Sequence, residues 1–505
     1  MRTLLAAIML VFPMVLLGDD PHSHHQHGEP DLGNIGKASL STSCNEAAQK
    51  EIDRSVALMH SFWYAEAEKG FRKAATADAE CGMAWWGVAM SNLHPLWAPP
   101  TPNELKAGAD AALKARETGA KTPREKAYIE AINTFYGDAG SKDHRTRMHA
   151  YEKAMAKLET DHPDDREAAI FHALALIGIS QPTDKTYANQ KKAAAILNRI
   201  LPQEPEHPGV AHYLIHSFDY PELAELALPA ARVYAKLAPG SPHALHMPSH
   251  IFVRLGLWDE SVSSNLASAQ KARDYVAQTM PGVASFDELH AVDYLVYAYL
   301  QKGNVDEAKK LVELARGVTK IDNANFAAAY AVGAVPGRFT LEQNNWKDAS
   351  ILTPPSAIPW EKFPYAEANI HFARGIGAAR SEQLQVAQEA AAKLATIRKA
   401  LLDAKDAYWA DQVEIQRLSV EAWLRHAKGE KEEALKLMRS AADLESSTEK
   451  HPVTPGAILP ARELLAEMLL ESGDRESAAA EITRVLRDAP KRRRAEALLA
   501  RANGG

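Results

Sequence analysis

Between Glu204 and Glu260 the chain states one phrase twice. Pro205, Pro208, His212 and His216 are followed by Pro239, Pro242, His246 and His250, each pair 34 residues apart. A fixed period in this range marks a supersecondary unit used many times, and such units stack because none can bury its apolar face alone. At this period the unit is a helix-turn-helix hairpin. The fold class implied is all-α: a right-handed α-solenoid of stacked helical hairpins over 44–505. Composition agrees, with Ala, Leu, Glu and Lys plentiful and little alternation of Val, Ile and Thr. A chain of 505 residues would ordinarily divide into separate cores. A solenoid need not, because each repeat touches only its neighbours.

Turn signals recur along the chain. Tyr64-Ala65-Glu66-Ala67 with Phe71, Ala74 and Asp78, then Ala84-Trp85-Trp86-Gly87, match the hairpin pattern of tetratricopeptide (TPR) repeats. Gly303-Asn304-Val305-Asp306-Glu307-Ala308 is close to the same turn, and Lys428-Gly429-Glu430 and Ser472-Gly473-Asp474 mark later ones. Proline-rich stretches near 95–102, around Trp97, and near 353–364 are expected to be loop insertions, since proline lacks the helix donor. Pro455–Arg487 reads as a hairpin. The helix expected at Lys491–Arg501 would cap the solenoid, with the basic run Lys491–Arg494 solvated at its end.

Residues 1–18 have the layout of a signal peptide: Arg2, an apolar run from Leu4 to Leu17, and small Gly18. No other stretch is apolar enough to span a membrane, so no transmembrane segment is expected in the mature chain. A periplasmic or secreted location follows. In an oxidising compartment the only two cysteines, Cys44 and Cys81, are expected to pair, since both fall at one end of the first hairpin. Residues 19–43 read as a disordered lead-in. They include His22, His24, His25 and His27, a tract able to close around a soft divalent ion. A net charge of −7 gives no footprint for nucleic acid.

Several motifs together resemble a group of large exported bacterial TPR proteins. They are His60-Ser61-Phe62-Trp63-Tyr64, Cys81–Gly87, Thr183–Asn189, Ala211–His216, Pro242–Phe252 and Pro460–Leu465, with the Cys44/Cys81 pair. The resemblance implies fold and export. It brings no activity or substrate.

Counting back from the turns at Gly256 and Gly303 places His212, His216, His243, His246, His250, His290, Asp293 and Tyr297 on helix positions that face the concave groove. His60 and His94 join the same face from earlier repeats. Such a groove is expected to bind a peptide, protein or small ligand. Imidazoles at i and i+4 are also a standard metal-ligand spacing, so His212, His216, His246 and His250 form a candidate Zn or Cu site. A metal-dependent enzyme would further need an acid or base, for which Glu288 and Asp293 are the candidates. No His-Glu-x-x-His, Cys-x-x-Cys-His or Gly-x-Ser-x-Gly motif is present, so no catalytic residue is assigned and binding is favoured over catalysis. Pro248, inside the second copy, is expected to start the helix late and weaken the spacing of His246 and His250.

Overall fold

Local capping sets the hairpins. Asn45 accepts from the Ala48 N–H at the start of the helix Glu46–His60. Thr101 and Thr122 each form a capping box, with Glu104 and Glu125, ahead of a proline in the first turn. Gly256 and Gly303 end their helices at φ +64° and +78°, a left-handed conformation that glycine adopts without a Cβ penalty. The computed structural model describes residues 30–504 with the exception of Trp97. The expected signal peptide, the tract His22–His27 and Trp97 lie outside the described residues.

Among the described residues the regular elements are helices, apart from one isolated bridge between Ala284 and Ile321. Successive helices pack on each other. Alternate helices also touch, as Glu46–His60 does Gly82–Ser91 and Phe286–Lys302 does Phe326–Glu342. That double neighbourhood is what a stack of hairpins produces, and the fold is a TPR-like α-solenoid. One apolar core runs from Leu32 to Phe252 and another from Ala327 to Ala502, with smaller clusters between them. No described helix is long and apolar enough to cross a membrane.

The expected disulfide is present, with Cys44 and Cys81 Cα atoms 5.2 Å apart. Other expectations are corrected. Residues 30–43 are not a free lead-in: Leu32 and Leu40 are buried, the Gly240 N–H donates to the Asn34 carbonyl, and Ser43 Oγ donates to Glu125. Apolar residues too sparse to show a period still find the ends of the repeats. This strand of chain crosses both duplicated turns, where a Cβ on Gly36 would meet the Pro208 ring at 3.0 Å.

The basic run is only half solvated: Lys491 and Arg493 are exposed, Arg492 and Arg494 buried. Arg492 is wholly buried and reaches Glu463 and Glu342 at 2.6 Å each, while Arg494 joins Glu463 at 2.8 Å. Paired carboxylates make that burial tolerable. The helix itself begins at Arg493, and Trp258 Nε1 donates to the Lys491 carbonyl, so the C-terminal end packs back on the middle of the chain. Pro455–Pro460 is not helix. Pro452, Pro455 and Pro460 keep residues 447–460 irregular until Ala461. This strap crosses to the N-terminal half, with Lys185 and Tyr187 on Glu449 and Tyr294 Oη donating to the Pro452 carbonyl at 2.9 Å.

Candidate metal centre

The second copy of the duplicated phrase begins at a helix capped by Ser241, whose Oγ accepts from Ala244 N–H. That helix, Pro242–His246, starts earlier than expected. It breaks at Met247 because Pro248 cannot donate, and Pro248–Arg254 continues it. Met247 nonetheless stays helical, at φ −54° and ψ −35°. His246 and His250 therefore remain on one face, with Nε2 atoms 3.0 Å apart. The proline interrupts the hydrogen-bond ladder and leaves the i,i+4 geometry intact.

The tautomers of this pair are fixed from behind. Asn265 Nδ2 donates to the Ser261 carbonyl, which orients its Oδ1 toward His246 Nδ1 at 2.6 Å. His250 Nδ1 donates to Asp219 Oδ2 at 3.0 Å. Each Nδ1 carries the proton, so each neutral ring presents a bare Nε2, and the two bare atoms face each other. Two lone pairs at this separation repel; a cation between them resolves the contact.

His290, from the helix Phe286–Lys302, completes a triad with them, the three donor atoms within 4.8 Å of one another. A second triad is made by His212, His216 and His243. His212 Nδ1 donates to the His60 carbonyl at 2.6 Å, leaving its Nε2 3.1 Å from that of His216. Phe62 packs against the second triad, its ring 4.3 Å from that of His212. It does so from a left-handed backbone, φ +55°, the region that Gly256 and Gly303 occupy without a Cβ. A bulky residue there costs about 1–2 kcal/mol.

The seven histidines His60, His212, His216, His243, His246, His250 and His290 are buried, none more than 6% exposed. They line the inner layer of helices rather than an open surface. Burial pushes His212 and His290 down to about 3 and His216, His243 and His246 well below the ordinary imidazole value. Burial also lowers His250, against the pull of Asp219. Burial alone would raise Asp219, but Lys450, Arg254 and His250 hold it well below the usual carboxylate range. The rings are thus neutral at pH 7, the form that ligates metal.

The sequence candidates divide. His212, His216, His246 and His250 belong to two triads rather than one four-ligand site, and His243 and His290 complete them. His60 lies in a separate group with Glu167 and His207. There both Nε2 atoms face the Glu167 carboxylate, at 2.9 and 2.8 Å, and Tyr213 Oη meets His60 Nδ1 at 2.9 Å. These three contacts each pair a donor with an acceptor, while His207 Nδ1 is buried without a hydrogen-bond partner. His94 stands apart, against the Tyr64 ring. Asp293 is paired with Arg338 at 3.1 Å, Glu288 with Arg273 at 2.6 Å, and Tyr297 lies under the Arg338 and Arg492 guanidiniums.

Sequence reasoning missed the supports: Asp219, Asn265, Phe62, Glu167 and Tyr294, whose Oη lies 3.3 Å from His250 Nε2. His207 had a signal, since it sits inside the first copy of the duplicated phrase. The others meet the histidines only through the fold.

No protein-family model matches the sequence, and no curated protein does. Among solved structures, the APC/C hetero-tetramer Cut9-Hcn1 aligns with 90% of this chain and 76% of its own, at 13% identity and TM-score 0.39. The TPR domain of P58(IPK) aligns with 84% and 99%, at 13% identity and TM-score 0.22. A monomeric IFIT1 mutant with m7Gppp-AAAA aligns with 92% and 97%, at 12% identity and TM-score 0.36. Likenesses this distant carry no functional weight.

Proposed function

We propose that the protein is an exported TPR-like scaffold that binds a late first-row transition metal, Zn or Cu, in its buried histidine cluster. The supporting observation is the pair His246 and His250, whose bare Nε2 atoms stand 3.0 Å apart with both Nδ1 protons committed elsewhere. Tetrahedral zinc with bonds of about 2.0–2.1 Å separates its nitrogen ligands by about 3.3 Å, close to that spacing. Imidazole donors suit Zn and Cu over Mg or Ca. Locking the far ring nitrogen on a carboxylate, an amide or a carbonyl is also how metal-binding histidines are ordinarily held. Export is supported by the Cys44–Cys81 disulfide. The tract His22–His27 would serve as a second, weaker capture site.

Elemental analysis of the untagged protein tests this. Metal is expected in the wild type and in a variant with His22, His24, His25 and His27 all changed to Ala. It should be lost when His212, His216, His246 and His250 are changed to Ala. Metal that disappears with the tail substitutions alone would overturn the proposal.

A second reading rests on a separate cavity of about 510 Å³, whose walls include Tyr330, Tyr408, Trp409, Arg462 and Arg487. Aromatic faces beside guanidiniums suit a peptide segment or a small organic anion. The strap residues Glu449, Lys450 and His451 also line it. An enzyme reading has less support, because the two carboxylates it would call on, Glu288 and Asp293, are each held by an arginine.

A further inference from the structure

The two triads adjoin. The His216 and His250 rings lie 6.0 Å apart and those of His243 and His246 6.1 Å, so each triad has two members beside the other. Yet the donor atoms group as two sets of three, each within 4.8 Å, and not as one set. The supports behind them are separate too: the His60 carbonyl holds His212, whereas Asn265 and Asp219 hold His246 and His250. Asp219 stands behind the His250 ring and is engaged by Arg254 and Lys450, which leaves it outside the triads.

We infer that the cluster is a dinuclear centre, one late first-row ion per triad, each with three imidazole nitrogens and one position left for an exogenous small anion. This rests on the metal reading above. Three protein ligands are one fewer than a closed structural site supplies, and an open fourth position is what distinguishes a reactive zinc-type site. The position on the triad of His212, His216 and His243 has access. A cavity of about 160 Å³ reaches His216 and is lined also by Asp219, Tyr220, Lys450 and His451. Its size admits a molecule of a few atoms. Six neutral imidazoles leave the charge of two divalent ions uncompensated, which favours an anion such as hydroxide over a neutral guest; Lys450 on the wall is already paired with Asp219 at 3.2 Å. The strap that carries Lys450 and His451 closes this cavity on one side, which puts the fit of residues 447–460 in control of what enters.

The test is a Co²⁺ titration of the metal-stripped full chain carrying His22→Ala, His24→Ala, His25→Ala and His27→Ala. Ligand-field absorption and equilibrium dialysis read the stoichiometry, and circular dichroism checks each variant's fold. Two equivalents are expected in this parent. His243→Gln and His290→Gln should each retain one, and the double variant none. Azide is expected to shift the bands of the parent. Saturation at one equivalent, abolished by either single substitution, would overturn the dinuclear centre while leaving a mononuclear metal site standing. No binding at all would sink the metal reading itself. Bands that azide leaves unmoved would overturn the open position.

Discussion

His246 and His250 face each other through unprotonated Nε2 atoms 3.0 Å apart, across a helix that Pro248 has broken. Their far nitrogens answer to different elements, Asn265 on the following helix and Asp219 in the turn of the preceding hairpin. Neither ring can turn to relieve the contact without stranding a buried donor.

Asn265 should therefore control affinity without touching the ion. Asn265→Leu removes the acceptor that fixes the His246 tautomer, and losses of such partners cost about 10- to 100-fold in metal affinity. Asn265→Asp keeps an acceptor and should lose less. Chelator competition with Zn²⁺ measures both; equal affinities would contradict the role.

Gly209 belongs to the first copy of the duplicated phrase and packs on His60. A Cβ there would stand 2.6 Å from His60 Nδ1 and 2.8 Å from its Cγ. Gly209→Ala must push the ring away from Glu167 and Tyr213, and overpacking of this kind costs about 1–3 kcal/mol. The denaturation midpoint should fall. An unchanged midpoint would mean that the helix Pro208–Phe218 can slide.

The disulfide closes a loop with a sequence separation of 37. Thiol titration of the denatured, unreduced protein should find no free cysteine. In the chain-entropy picture the Cys44→Ala, Cys81→Ala variant loses about 4 kcal/mol.

Glu445 accepts from the Ala461 N–H at 2.9 Å, and burial pushes its carboxyl up to about 7. The folded chain thus holds this proton more tightly than the unfolded chain, whose glutamates titrate near 4.3. Its contribution is fully present below about pH 4 and is lost as pH rises to about 7, by at most about 4 kcal/mol. Glu445→Gln keeps the acceptor and removes the titration. It should match the wild type at pH 4 and exceed it in stability at pH 8, by denaturant unfolding at both values.

Arg492 lies between Glu463 and Glu342, both within 2.6 Å, with all three buried. Arg492→Met strands Glu342 and leaves Glu463 with Arg494 alone, and should cost about 3–5 kcal/mol. Glu463→Gln with Glu342→Gln on that background should recover part of it. Failure to recover would place the loss in packing.

Much of the architecture was legible. The helix Glu46–His60, the turn at Gly303 and the helix Phe286–Lys302 carry their caps and periods locally, so short-range chemistry announces them. The hairpin expected over Pro455–Arg487 begins only at Ala461, because Pro455 and Pro460 keep its first residues irregular. Arg492 and Arg494 were misread because charge in a sequence suggests solvent, and only their distant partners Glu342, Glu463 and Glu467 say otherwise.

By itself the sequence determined a 34-residue period, and with it a stack of hairpins that turns histidines of successive repeats toward one inner face. Periodicity is a local property, and a helix face follows from it. The tertiary structure decided how those histidines divide, which nitrogen of each carries the proton, and that they are buried. Each of these depends on Asn265, Asp219 or the His60 carbonyl, groups on other helices or in another repeat whose placement the fold as a whole sets.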